Sequence, residues 1–200
     1  MKLIEDVNNK LTKHNKKNRY FEANGIEVER IGLPIGDYIM VTDKVQDVLD
    51  RKSKRGIAVK KMDLLGSYTV CVDTKYGIEE LVTNICGKQH ERFRDECILA
   101  QNNGVKLIIL VENDGGKVGK SDAVNPVIRK VEDLHKWINP RLFIMKRENN
   151  GKWVQKYPSA TKGQRLMKAC MSMTAKYGVE FQFCSSKESG EKIIEILKDS

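Results

Sequence analysis

The run VKLIILVEN, residues 105–113, limits the possible folds more than any other stretch of this chain. A strand with one wet face alternates apolar and polar residues, whereas a strand covered on both faces reads as an unbroken apolar run. Residues 107–111 are such a run, so this strand belongs near the middle of a sheet with helices on both sides. The flanking pattern supplies those helices. Ile78, Leu81, Val82 and Ile85 fall at i, i+3, i+4 and i+7, the stripe of an amphipathic helix. HERFRDECILAQNNG is a second helix, with Phe93, Cys97 and Ala100 inward and Gly104 at its end. Further strands are predicted at KLIEDV (2–7), SYTVCVDTK (67–75) and VEFQFC (179–184). Helices are predicted over about 12–24, closed by Gly25, over 161–176 with Leu166, Cys170, Met173 and Tyr177 on one side, and around Ile193, Ile194, Ile196 and Leu197. Alternating strands and helices around an apolar central strand give a three-layer α/β domain with a mixed sheet.

Three expectations concern the less regular parts. IEVERI (26–31) and LPIGDYIMV (33–41) read as neighbouring arms of an antiparallel hairpin interrupted at Gly32 and Pro34. Residues 42–67 are dense in charge and read as an inserted excursion, and 114–158 as a second insertion. Within the latter, NPVIRKVEDLHKW looks like a helix capped by Asn125 with Pro126 in its first turn. Trp137 and Trp153 are expected to tie that region down.

Charge narrows the partners. The formal net charge is +9, from 36 Lys and Arg against 27 Asp and Glu. It is clustered: Arg141–Lys176 holds nine basic residues and one acid, Arg51–Lys61 six and none, and Asn8–Tyr20 five and none. Such clusters suit a polyanion, because neutralised phosphates release condensed counterions. A solvated surface is the plainer alternative. No apolar run is long enough to span a bilayer, and MKLIEDVNNK meets acidic and amide residues too early for a secretory signal, so no membrane partner and a cytoplasmic, reducing setting are expected. Five cysteines without a C-x-x-C pair, and three scattered histidines, speak against a zinc site.

Metal-assisted phosphodiester hydrolysis needs carboxylates converging on a divalent ion with a cation near the attacking water. Asp37 follows Gly36, where a bend can turn its carboxylate away from the pleat. Asp73 and Lys75 are two apart on a predicted strand and share a face. Asp50-Arg51-Lys52 has a similar spacing but lacks a long strand before it and a clear amphipathic helix after it. Taken alone, Asp73-Thr74-Lys75 also reads as strand-end residues facing solvent.

The blocks LPIGDYIM, VCVDTKYGIEELVTNI, HERFRDECILAQNNGVKLIILVEN and GQRLMKACMSMTAKYGVEFQFCSSKESGEKIIEIL, in that order, resemble the XPF-type nuclease domain. The resemblance covers most of the chain and implies one restriction-endonuclease-like domain over 1–200, a central mixed β-sheet flanked by helices. That family's pattern is Gly-Asp, then Glu-Arg-Lys, then an acid four residues after the lysine. Carried over, it falls on Gly36-Asp37, on Asp73, Thr74 and Lys75, and on Glu79. Asp73 is one methylene shorter than the family's glutamate, and Thr74 replaces its arginine. Relatives also carry an aspartate in the first strand followed by Arg-Glu; Asp6 is kept here, with Asn8 and Asn9 after it. The implied activity is a DNA endonuclease in which Asp37, Asp73 and the carbonyl of Thr74 hold Mg²⁺ or Mn²⁺, while Lys75 orients water and offsets charge. Helix geometry ranks Glu79 above Glu80, about 110° against about 150° from Ile78, the centre of the apolar stripe.

Arg92 and Arg94, and Lys52, Lys54, Arg55, Lys60 and Lys61, are the candidate phosphate contacts. The expected partner is double-stranded or branched DNA, with a homodimer compatible and no small-molecule cofactor implied. A non-catalytic binding subunit of the same fold and an RNA nuclease stay open. A chain of this size suits a phage or bacterial genome, in DNA repair, fork processing or a mobile element.

Overall fold

The computed structural model describes residues 1–9 and 11–199; Lys10, part of the N-terminal basic run, and Ser200 lie outside it. Strand β1 (Lys2–Glu5) leads into helix α1 (Leu11–Ala23), which crosses back so that β2 (Glu27–Arg30) pairs with β1 in parallel. Strand β3 (Tyr38–Met40) then pairs antiparallel with the other edge of β1. Helix α2 (Asp43–Lys54) and a short 3-10 turn (Lys61–Leu64) precede β4 (Val70–Lys75). Helices α3 (Ile78–Ile85) and α4 (His90–Asn102) lead to β5 (Lys106–Glu112). Two small ladders follow, β6 (Gly116–Lys117) with β7 (Val124–Asn125), and β8 (Met145–Arg147) with β9 (Trp153–Gln155). Helix α5 (Gly163–Tyr177), β10 (Glu180–Cys184) and α6 (Ser189–Lys198) complete the order. The six-stranded sheet runs β10-β5-β4-β3-β1-β2 and is mixed.

Strand β5 sits between β10 and β4, parallel to both. Its alternate residues feed two cores. Leu107, Ile109 and Val111 join Cys71 of β4 beneath α3, α4 and α5, while Ile108 and Leu110 join Val72 beneath α1 and α6. Burying one such side chain contributes roughly 1.5–3 kcal/mol. Both faces of this strand therefore need a helical layer. No helix among the described residues is long and apolar enough to cross a membrane.

The hairpin expected between 26–31 and 33–41 is not formed, because β1 lies between β2 and β3. The connecting chain instead passes over the end of β1. Ile31 N donates to Glu5 O, Leu33 N to Asp6 Oδ1, and Asp6 N to Asp37 O at 2.8 Å. Period-two alternation marks a strand but not its partner, and the α1 crossover makes the parallel pairing. Residues 42–67 are more ordered than a charged excursion suggests: Val45, Leu49 and Leu64 are buried in the main core. The helix expected after Asn125 is also absent. The Asn125 side chain bonds Ile138 N at 2.6 Å and Ile138 O at 3.0 Å, closing a loop 13 residues long. Only Val131–Lys136 makes a 3-10 turn there. Trp137 is buried and holds the segment, whereas Trp153 is 62% exposed and ties nothing down.

Candidate active site

Asp37 is placed by two constraints. Its N–H donates to Val72 O at 2.8 Å, joining the start of β3 to β4. Gly36 before it has φ +75°, and a Cβ there would lie 2.9 Å from Cys71 Cβ. Only glycine takes that backbone angle and that approach together. The bend turns the Asp37 carboxylate back across β4, where Oδ2 accepts from Thr74 N at 2.9 Å and from Thr74 Oγ1 at 2.7 Å. The other oxygen, Oδ1, takes no part in these bonds.

Asp73 and Lys75 share a face of β4, as strand geometry requires. Lys75 Nζ donates to both Asp73 oxygens at 2.6 Å and lies 5.6 Å from the Phe93 ring centroid. Glu96 of α4 completes the surround by accepting from Gly36 N at 2.9 Å. These groups open onto a cleft of about 560 Å³ whose lining includes Asp6, Asp37, Asp73, Lys75, Glu80 and Arg92.

Burial sets the electrostatics. It pushes Asp73 up to about 6, against the lowering pull of Lys75 and with a further push from Asp37. Burial raises Asp37 and Glu96 as well. For Lys75, burial works to lower the pKa, but Asp73 and Asp37 outweigh it and hold the group above its ordinary value. The two carboxylates thus favour the ammonium form of Lys75.

The structure divides the sequence candidates. Asp37, Asp73, Thr74 and Lys75 converge. Asp6 lines the cleft, but its oxygens are engaged by Leu33 N and the Asn8 amide, so it fastens the chain crossing. Glu79 is exposed and outside this cleft, whereas Glu80 lines it, accepts from Tyr76 N at 2.9 Å and bears on Asp73. The expected ranking is thus reversed. Asn84 of α3 is buried, so the buried arc of the helix centres near Leu81 and not Ile78. Measured from Leu81, Glu80 is about 100° away and Glu79 about 160°.

Among the basic candidates, Arg92 and Lys61 line the cleft. Arg94 is turned aside and paired with Asp95 at 3.0 Å, and Lys52 is paired with Asp63 at 2.7 Å. Lys54, Arg55 and Lys60 are exposed away from the cleft. Two contributions went unread in the sequence. Glu96 shares a helix face with Phe93 and Ala100, at i+3 and i−4, which is the available signal. His14 and Lys17 of α1 also reach the cleft, although a basic run reads as a solvated face.

The chain matches the ERCC4 domain over residues 7–197. It belongs to the ERCC4 domain family. That is a family of structure-specific nucleases, and the mixed six-stranded sheet between helical layers is its restriction-endonuclease-like fold. Among solved structures, XPF from Aeropyrum pernix in complex with DNA is similar over 98% of this chain and 63% of that one, with a TM-score of 0.48 and 13% identity. The present chain thus spans less than two thirds of that protein's chain. No curated protein matches. Against the ERCC4 pattern, Thr74 in place of arginine removes a cation but supplies the hydroxyl that fixes Asp37.

Proposed function

We propose that this ERCC4 chain is a divalent-metal-dependent DNA endonuclease. The convergence of Asp37, Asp73 and Lys75 at one end of an open cleft carries the reading. Asp37, Asp73 and the Thr74 carbonyl would hold Mg²⁺ or Mn²⁺. The donors are all oxygens, and among the described residues no three His, Cys, Asp or Glu side chains cluster to hold a metal. A hard ion that keeps several waters fits two carboxylates and a carbonyl, whereas zinc does not. When bound, such an ion polarises the phosphate and makes a water more nucleophilic. Lys75, held against the buried Phe93 ring, offsets the charge that develops on the phosphate. Arg92 and Lys61 on the cleft wall contact flanking phosphates. Five free cysteines, four of them buried, suit a reducing cytoplasmic setting.

The reading is tested by incubating the chain with nicked, flapped and single-stranded DNA and matched RNA, with Mn²⁺ or with EDTA. Metal-dependent cleavage of DNA supports it. Binding without cleavage of any substrate would leave a binding subunit, and cleavage of RNA alone would make it a ribonuclease.

Two further outcomes follow from the geometry. Thr74→Val keeps the backbone bond to Asp37 and loses the hydroxyl bond, so cleavage should fall about 10- to 100-fold, with Thr74→Ser restoring it. Comparing rate, Mn²⁺ affinity and melting temperature of the two variants separates positioning from unfolding. Arg92→Ala should weaken DNA binding and reduce the log–log salt slope by about 1, while Arg94→Ala, already paired with Asp95, should leave both nearly unchanged.

A further inference from the structure

The β8–β9 hairpin presents apolar and basic side chains that the fold does not bury. Every residue of β8 is exposed, and so are Trp153 and Gln155 of β9. Phe143, Ile144, Met145 and Tyr157 beside it are exposed as well. A two-stranded ribbon with so little burial contributes almost nothing to the core. It is nevertheless held in place at its base: Lys156 N donates to Ile144 O at 2.7 Å, the Gln155 amide to Leu142 O at 2.9 Å, and the Asn139 amide to Thr161 O at 2.9 Å.

Its surface has a definite chemistry. Register pairs Arg147 with Trp153 and Met145 with Gln155, so these four share one face of the ribbon. Arg141, Lys146, Arg147, Lys152 and Lys156 all belong to this segment, with Glu148 the one acid between Arg141 and Lys156, and Arg147 lies on the Trp153 face. The Arg141 guanidinium and Lys156 Nζ lie 5.7 and 5.4 Å from the Tyr157 ring centroid. An exposed aromatic face with an arginine beside it matches a nucleotide strand, which offers a base face and a phosphate at each step.

The surface also connects with the candidate active site. Arg141 and Tyr157 border a cavity of about 370 Å³ against α3. Arg141 also lines an adjoining cleft of about 640 Å³ with Tyr76, Glu80 and Arg92, and those three line the Asp37–Asp73 cleft too. Clefts that share lining residues thus lead from the carboxylates to Arg141, at the base of the hairpin.

We propose that the β8–β9 hairpin is a second nucleic-acid site, which takes unpaired DNA by stacking bases on Trp153 while Arg147 on the same face and Arg141 beside Tyr157 neutralise its phosphates. A duplex keeps its base faces stacked inside and can offer the hairpin only its charge. The inference rests on the DNA-binding part of the proposed function and is independent of hydrolysis.

The test uses the full chain in EDTA, where nothing is cut. Labelled oligothymidylate and a duplex of equal length are titrated by anisotropy, and tryptophan emission is followed in parallel. Trp137 is 4% exposed, so quenching reports Trp153. Trp153→Ala should weaken single-strand binding roughly 5- to 100-fold, leave duplex binding within about twofold and abolish the quench; Trp153→Phe should retain much of the single-strand affinity. Unchanged single-strand affinity in Trp153→Ala, an equal loss on the duplex, or a preference for matched RNA overturns the site. Trp153-dependent binding in a chain that cuts no DNA with Mn²⁺ upholds the site and overturns only the nuclease reading.

Discussion

Asp73→Asn should lower the rate of Mn²⁺-supported DNA cleavage by about 10²- to 10³-fold or more, since it removes the charge of one of two carboxylates that would hold the ion offsetting charge on the reacting phosphate. Asp73 is 4% exposed, carries both bonds to Lys75, and is one of two carboxylates at the head of the cleft. The amide preserves shape and removes the charge. The pH dependence supplies an independent check. Burial places the Asp73 pKa at about 6, so below that pH the group is protonated and offers no charge to a cation. Mn²⁺ affinity should therefore fall about tenfold per pH unit below about 6 and level off above it. Lys75 opposes the effect of burial, so Lys75→Gln should move this threshold upward while also losing cleavage. Calorimetric titration of Mn²⁺ from about pH 5 to about pH 8 reads both. A flat profile in the wild type, or a threshold that moves down in Lys75→Gln, would contradict the placement of the ion at Asp73.

What the sequence revealed depended on whether the signal was local. Strand β5 was legible because being covered on both faces removes polar residues from both alternations, a property of the five consecutive positions 107–111. Helices α3 and α4 were legible from their stripes, and all three residues read as inward on α4 are buried. Strand partnership was not legible. Whether β2 lies beside β3 or beyond β1 is decided by α1 and by backbone bonds from Ile31, Asp6 and Asp37 around the end of β1, and alternation carries no trace of them. The segment after Asn125 failed for a related reason: a capping residue can serve the next turn or a backbone 13 positions away, and here the distant partner wins.

The candidate site divides in the same way. Asp73 and Lys75 could be paired from spacing alone, because two residues on a strand return to the same face. That Asp37 meets them follows from β3–β4 pairing, a tertiary fact. Cations were the hardest to judge, since their availability depends on nearby carboxylates. Arg94 and its partner Asp95 are adjacent in sequence, but Lys52 and Asp63 are eleven residues apart and meet only because the chain folds back after α2. The choice between Glu79 and Glu80 turned on Asn84. A polar residue does not count toward an apolar stripe, although burying it moves the packed arc of the helix.

Gly36→Ala should be the most damaging change of a single methyl group in this region. Its φ of +75° alone costs an L-residue roughly 1–2 kcal/mol. The added Cβ would also stand 2.9 Å from Cys71 Cβ, 3.0 Å from Cys71 Sγ and 3.3 Å from Val72 O, so the start of β3 must move off β4. Overpacking of that kind adds roughly 1–3 kcal/mol. Together these predict a melting temperature lower by roughly 5–15 °C. Gly25→Ala is the matched control: its φ is +63° and nothing lies within 4 Å of the place its methyl would take, so only the backbone cost remains. The functional consequence goes beyond stability. Gly36 N holds Glu96 and Asp37 N holds Val72 O, so any retreat of this turn carries the Asp37 carboxylate away from Thr74. Cleavage measured well below the melting transition should therefore fall in Gly36→Ala and persist in Gly25→Ala. Equal melting shifts in the two variants, with activity intact in both, would mean that the turn is slack and that Asp37 is positioned by Thr74 alone.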